Sequence, residues 1–365
     1  MSSEERKNLA SKLIADTPTA SVLIGFDGFV DDILSAIDKR HDINSYDRID
    51  TIKSYAERIA KLSGVSGSIE IDLQQQKLGG NAPIMANALI AQNWSTNCIA
   101  AIGEQDHIHP VFKEFSEKCH GIYPIAEPGN TLAFEFSDGK IMMNQLASLG
   151  KVNWNNISDI IGEKNIIELV NKVDLIACVN WAMLPFMNSI YKGIGEILRN
   201  GQKNKKVFID LADVMRRTVV DLREMLGVLS ELSKHCELIL GLNKSEVFQI
   251  LDALDISINN DSEKNEDIVE LTRKLDLHAI VVHETKQAYI GTRGGDFYLV
   301  QGPYEPNPKL TTGAGDNFNA GFCSGWLRSL SWQECLMTGV FTSGYYVRNA
   351  KSPQVNELSE FIMNY

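Results

Sequence analysis

The chain has 365 residues, 44% hydrophobic and 22% charged, the proportions of a soluble globular protein with room for a large α/β domain and an appendage. Its 47 acidic residues outnumber 35 basic ones, and the net charge of −12 argues against gripping nucleic acid or anionic membrane through bulk charge, though not against an anion held by a local nest of backbone N–H groups. Cysteines at 98, 119, 178, 236, 323 and 335 form no CxxC pair, so free thiols in a reducing cytoplasm are expected rather than a zinc site.

The polar start, Met1 to Ala10, has no apolar signal region, and residues 1–18 read as a helical lead-in. Ser21 to Gly25 is a buried-strand pattern, Arg48 to Leu62 reads as a helix, Gly64 to Ser68 as a surface loop, and Pro83 to Asn93 as a helix with proline early, where its missing N–H costs little. Short apolar runs at Cys98–Ile102, Leu175–Val179, Val207–Ile209, Leu238–Leu240 and Ala279–Val282 read as strands. Helical patterns at Ile190–Arg199, Thr218–Leu229 and Glu266–Leu275 separate most of them, and helices are also expected at Asn317–Leu327 and Ser331–Tyr346. Strands that alternate with helices and are apolar on both faces predict an α/β fold with a central, mostly parallel sheet covered on both sides. Leu175 to Met187, the most apolar stretch, is interrupted by Asn180 and Pro185 and is too short to span a bilayer. One segment departs from this pattern: Thr131 to Phe136, an Asp138-Gly139 turn and Lys140 to Gln145 predict a hairpin, which is a flap over a site, an edge for a homodimer or a plain decorative edge. No linker composition divides the chain, so residues 1–365 are expected to form a single domain with a small β lid that includes 131–145.

The most informative stretch is Thr311-Thr312-Gly313-Ala314-Gly315-Asp316, just ahead of a helix. Small residues let backbone approach a ligand, and a helix opening there presents unpaired N–H groups to an anion. A carboxylate repels a stored phosphate, so Asp316 makes sense as a general base that takes a proton from an attacking hydroxyl, which points to phosphoryl transfer to an alcohol. A tight packing turn with an Asp cap would have the same residues. Asp27, Asp31 and Asp32 follow the first strand, where α/β sheets bind ligands, and suit sugar hydroxyls or simply solvate a loop. Gly79-Gly80-Asn81 allows close approach of a polyhydroxy ligand or forms a tight turn. Asn243 and Glu246 share a helix face and suit a hydrated Mg²⁺, or else form a helix capping box. Gly241 to Ser245 lacks the second glycine of a P-loop, and Gln287 stands where a zinc-protease HExxH at His283-Glu284 would need histidine.

Taken in order, these motifs resemble the ribokinase-like PfkB carbohydrate kinases over about Ser21 to Asn349, with Gly103 and Asp106 adding to the match. The resemblance implies a three-layer α/β fold with a small β lid, and a kinase that phosphorylates a hydroxymethyl group of a sugar or sugar-like compound using ATP and Mg²⁺. A monovalent cation belongs to the same expectation, without assignable ligands. It implies that Asp316 is the base, that Gly313, Ala314 and Gly315 form the anion hole, and that Thr311 and Thr312 lie on the nucleotide side. Asn243 and Glu246 would organise phosphate and Mg²⁺ through water, and Asp27, Asp31, Gly79, Gly80 and Asn81 would face the sugar. The chain departs from the family at Leu310, where aspartate is usual, at Ile84, where asparagine is usual, and at His283-Glu284-Thr285, where a glycine-bearing turn is expected near adenine. A nucleoside or a sugar acid is an alternative acceptor, the latter with Arg216 or Arg217 as the cation. A catalytically weak sensor is a further alternative, and an intact Asp316 argues against it.

Overall fold

The computed structural model describes residues 3–15, 19–105, 107–201, 205–256 and 264–365; Asp106, one of the motif residues, lies outside them. A nine-stranded sheet runs, edge to edge, through Phe297–Gln301, Gln287–Thr292, Ala279–His283, Glu237–Asn243, Lys206–Asp210, Leu175–Cys178, Ser21–Phe26, Ser95–Ala100 and Gly121–Pro124. Neighbours from Gly121–Pro124 across to Ala279–His283 are parallel, and the last two strands turn back antiparallel.

Alternate residues of each parallel strand enter opposite cores. Val207 and Ile209 point to one side, with Leu23, Ile176 and Leu240. Phe208 points to the other, with Ile24, Ala177 and Val281. The first side is covered by Trp154–Ile161, Glu163–Lys172, Met187–Asn200 and Val219–Leu232. Ser3–Ala15, Asn81–Ala91, Ala314–Leu327, Trp332–Asn349 and Val355–Asn364 cover the second. This is the three-layer arrangement that two-faced apolar strands require.

A second, five-stranded sheet holds Phe29–Arg40, Tyr46–Arg48, Glu70–Gly79, Gly129–Phe136 and Gly139–Gln145. The hairpin at 129–145 is present, with Phe136 paired to Gly139 across the turn. It forms only part of this sheet. Phe29–Arg40 runs through the middle, parallel to Gly129–Phe136 and antiparallel to Glu70–Gly79 and Tyr46–Arg48. The expected helix at 48–62 is shorter: Arg48 ends a strand, Thr51 caps Ile52–Ala60, and Tyr55 from that helix stacks on Phe134 beneath the sheet. The Asp31 segment, for which a solvated loop was one alternative, is a strand. The helix after the glycine pair begins at Asn81 rather than Pro83, and the one after the GAGD motif at Ala314 rather than Asn317.

Candidate active site

The carboxyl ends of the parallel strands bring the chemistry to one edge. Asp27 follows Ser21–Phe26, Asn180 follows Leu175–Cys178, and Asp210, Asn243 and His283 end the next three strands. The helices Asn81–Ala91, Lys244–Ala253 and Ala314–Leu327 begin at the same edge, with their N-terminal ends toward it.

Asp316 sits in the first turn of its helix, 6% exposed, and its Oδ1 accepts a hydrogen bond of 2.9 Å from Asn81 Nδ2. Burial raises its carboxyl well above the ordinary range, and the nearby Asp210 and Asp27 carboxylates push it further. The helix is capped by Gly313 at φ +88°, a left-handed position with no side-chain bond to the open N–H groups. A Cβ at Gly313 would lie 2.8 Å from the Tyr346 hydroxyl and 3.1 Å from Ile84, so the residue must be glycine for space as well as for φ. Ile84, one of the departures, thus packs under the Gly313 turn, while Asn81 supplies the amide that reaches Asp316. Within the loop, the Ala314 N–H is spent on the Thr311 carbonyl at 3.1 Å, and the Thr312 carbonyl accepts from Tyr346 at 2.9 Å.

Asp27 is fully buried, and its oxygens are taken up inside the protein. They accept from the Asn81 N–H at 2.9 Å, the Ala82 N–H at 2.8 Å and Asn180 Nδ2 at 2.7 Å. It therefore caps the helix Asn81–Ala91 from a distant part of the chain, and burial lifts its carboxyl to about 6. Gly80, at φ +99°, packs directly on Gly28 and Asp27. Asp31 is partly open, beside Thr131 in the second sheet, and its carboxylate lies against Gly79, where any side chain would collide with it.

Asn243 and Glu246 form the capping box that was the local alternative. Asn243 Oδ1 accepts from the Glu246 N–H at 3.0 Å, and Glu246 Oε2 accepts from the Asn243 N–H at 2.7 Å. Glu246 is 3% exposed, and its carboxyl is pushed up to about 9 by burial, then by Asp210 and Asp213. Among the described residues, no group of three or more His, Cys, Asp or Glu is placed to hold a metal ion directly.

Sequence reasoning missed Asp210, Asn180, Asn319 and His283 as parts of this constellation. Asp210 accepts from Asn319 Nδ2 at 2.9 Å, one helical turn beyond Asp316, and from the Ala212 N–H at 3.0 Å. Asn180 was visible only as a polar break in an apolar run, and its backbone takes a left-handed φ of 63°.

Two adjoining cavities open here. The smaller, about 320 Å³, is lined by Asn81, Asp210, Asp213, Glu246, Gly313 and Asp316. The larger, about 680 Å³, is lined by Lys244, Tyr304, Thr311, Phe318 and Val347. Asn243, Ser245, His283 and Gly315 line both. The two Arg candidates differ. Arg217 is locked by Asp221 at 3.4 Å and stacks 4.5 Å from the Trp181 ring centre, while Arg216 pairs with Asp213 at 3.3 Å and reaches Asn144 Oδ1 of the second sheet at 3.4 Å. No helix among the described residues is long and apolar enough to cross a membrane.

The fold has known counterparts. The chain is similar in structure to the ribokinase of Arabidopsis thaliana complexed with ribose and ATP (15% identity, 95% of this chain and 99% of that one, TM-score 0.66). It is also similar to the ribokinase of Cryptococcus neoformans in complex with ADP (16% identity, 93% and 99%, TM-score 0.65). In sequence it is 24% identical to the ketohexokinase of Haloferax volcanii over 351 residues, 94% of this chain and 91% of that protein. The model of the prokaryotic ketohexokinase family matches residues 3–365. With its sheet, the GAGD helix start and that end-to-end match taken together, the chain belongs to the prokaryotic ketohexokinase family and is a carbohydrate kinase of the ribokinase-like fold.

Proposed function

We propose that this kinase transfers the γ-phosphoryl group of ATP to a hydroxymethyl group of a ketohexose. The observation that carries the reading is Asp316: a buried carboxylate at a helix start, held by Asn81, that lines the smaller cavity next to Gly315, which lines both. The adenine side of ATP takes the larger cavity, and the phosphoryl end takes the smaller one. Asp316 accepts the proton of the attacking hydroxyl, whose oxygen forms a bond to the γ-phosphorus as the bond to the leaving ADP oxygen breaks. The backbone N–H groups at the opening of Ala314–Leu327 receive charge from the transferring group, with Gly313 and Gly315 freer than Ala314, whose N–H is already used. Asp31, Asn81 and the second sheet hold the sugar and exclude water, which directs the phosphoryl group to the alcohol. Asp27 contributes by fixing the Asn81 turn.

Burial raises the carboxyls of Asp210, Glu246 and Asp316, with repulsion from Asp210 adding at the last two, so their ionised forms are disfavoured beside a triphosphate unless a divalent cation stands among them. Mg²⁺ would neutralise phosphate charge and favour the ionised forms of Glu246 and Asp210, which would hold it through water. Glu246→Gln keeps the oxygen that caps Asn243, so the helix start survives while the ionisable group is lost. The Mg²⁺ concentration needed for half-maximal nucleotide binding should rise roughly tenfold in that variant. An unaltered Mg²⁺ titration of nucleotide fluorescence would remove Glu246 from the role.

Asp31→Ala removes an acceptor for sugar hydroxyls. The KM for sugar should rise about ten- to hundredfold with the KM for ATP unchanged, the loss of one charged hydrogen bond. Equal changes in both KM values would show that Asp31 supports the sheet rather than the acceptor. A sugar-acid acceptor is not favoured, because Arg217 is consumed inside the protein and Arg216 is paired with Asp213. The reading as a whole is tested by ATP consumption with Mg²⁺ against ketohexoses, aldohexoses, sugar acids and nucleosides. Turnover with a ketohexose alone supports it, and preference for a nucleoside or sugar acid overturns the acceptor.

A further inference from the structure

His283 occupies the passage between the two cavities and lines both of them. It ends the strand Ala279–His283, so its backbone is fixed by the sheet, paired with Asn243 on one side and Ala288 on the other. Its ring is 5.2 Å from that of Phe318. Across the passage it faces the anion loop: a Cβ on Gly315 would lie 3.3 Å from its Cε1 and 3.4 Å from its Nε2. The imidazole therefore lies against the backbone whose N–H groups point to the phosphoryl seat. An extended triphosphate with its base in the larger cavity and its γ end in the smaller one passes among the residues that line both, Asn243, Ser245, Gly315 and this ring. Apolar Phe318 fills that wall on one side, and the imidazole provides a polar N–H in the gap.

We infer that His283 is a phosphate-contacting residue of this kinase, which donates an imidazole N–H to the phosphate chain of ATP as it passes from the larger cavity to the smaller. The ring is set by Phe318 and the sheet, and the Asp210 carboxylate acts on it electrostatically from within the site. Phe318 beside the ring, Asn319 on Asp210, and Asp316 all lie on the helix Ala314–Leu327, so the donor side and the acceptor side are tied to one rigid element. The position also gives a role to the His283-Glu284-Thr285 departure: a side chain supplies a contact at the point where the chain lacks a glycine-bearing turn.

This inference rests on the assignment of the two cavities to nucleotide and phosphoryl group, and the test separates the two ideas. Full-length wild type, His283→Ala and His283→Gln are titrated with adenosine and with the non-hydrolysable triphosphate AMP-PNP plus Mg²⁺, without sugar, and their thermal melts are recorded. Wild type should bind both. In His283→Ala the affinity for AMP-PNP should fall roughly ten- to hundredfold while that for adenosine, which has no phosphate, stays the same. His283→Gln, which keeps an N–H donor, should recover part of the loss, and in turnover the KM for ATP should move while the KM for sugar does not. If both ligands weaken together, the ring packs against the base and the inference fails. If neither changes, the ring is a spectator and the inference also fails. If wild type binds neither ligand, the cavity assignment falls instead. Should His283→Ala lose its cooperative melt, His283→Gln carries the same comparison: a partial loss of AMP-PNP affinity with adenosine binding unchanged is expected, and no loss, or a loss equal for both ligands, overturns the inference.

Discussion

Replacing Asp316 with Asn should abolish sugar phosphorylation and at the same time raise the melting temperature. The amide keeps an oxygen where Oδ1 accepts from Asn81, so the geometry of the turn is retained. The proton acceptor is lost, a cost of about 10²–10⁴ in kcat, while nucleotide affinity stays near that of wild type. Stability moves the other way because the carboxyl is buried beside Asp210 and Asp27, which raises it well above its value in the unfolded chain. A raised carboxyl favours folding while it is protonated, and that contribution disappears as pH rises through the folded-state value. Wild type therefore carries the burden of an ionised Asp316 toward alkaline pH, and the variant does not. The gap in melting temperature between them should widen from pH 4 upward. For wild type, turnover should rise with pH as Asp316 loses its proton. Near-normal kcat in Asp316→Asn would falsify the base assignment, and a melting temperature that is lower at every pH would show that the carboxylate is paired in a way the hydrogen bonds do not reveal.

Gly313→Ala should also cost turnover, by about a hundredfold, but through geometry and with a lower melting temperature. Two independent effects act on this one carbon. Gly313 sits at φ +88°, where an L-residue is strained by roughly 1–2 kcal/mol. The new Cβ would also lie 2.8 Å from the Tyr346 hydroxyl, which donates to the Thr312 carbonyl, so relief of the clash pulls on the preceding residue of the loop. Overpacking of this kind adds about 1–3 kcal/mol. Together they should lower the melting temperature by roughly 5 °C for a chain of this size. A stability loss with unchanged kcat would separate the loop from catalysis. The opposite thermal shifts of the two variants distinguish loss of a charge from loss of a conformation, although both reduce turnover.

The legibility of this protein in its sequence follows the range of the interactions. The central strands were readable because burial on both faces leaves runs such as Leu238 to Leu240 and Ala279 to Val282 with no polar position to blur them. The second sheet was readable only at its hairpin, where Asp138-Gly139 marks the turn. Its other long strands are masked for physical reasons. Glu70–Gly79 is exposed along most of its length and shows no alternation, and Phe29–Arg40 carries Asp31 and Asp32 in positions that resemble a polar loop. Helix starts were off by a few residues where the N-cap residue itself offers no side chain, as at Gly80 and Gly313, whereas the Asn243–Glu246 box is local and was visible as a possibility.

The site divides along the same line. By itself the sequence determined the class of chemistry: a glycine-bearing helix start with a carboxylate, post-strand acids and a family order of motifs are short-range patterns that need no partner to be recognised. Which carboxylates are open to a ligand was decided by tertiary structure alone. Asp27 and Asp31 look equivalent in the sequence, yet Asp27 is consumed by backbone N–H groups 54 and 55 residues away, and Asp31 stays partly open. The contact that sets Asp316 comes from Asn81, 235 residues earlier, and the one that sets Asp210 from Asn319, 109 residues later. Such pairs leave no local period or spacing, because a hydrogen bond across a packed sheet is specified by where the strands bring the backbone and not by the residues beside either partner.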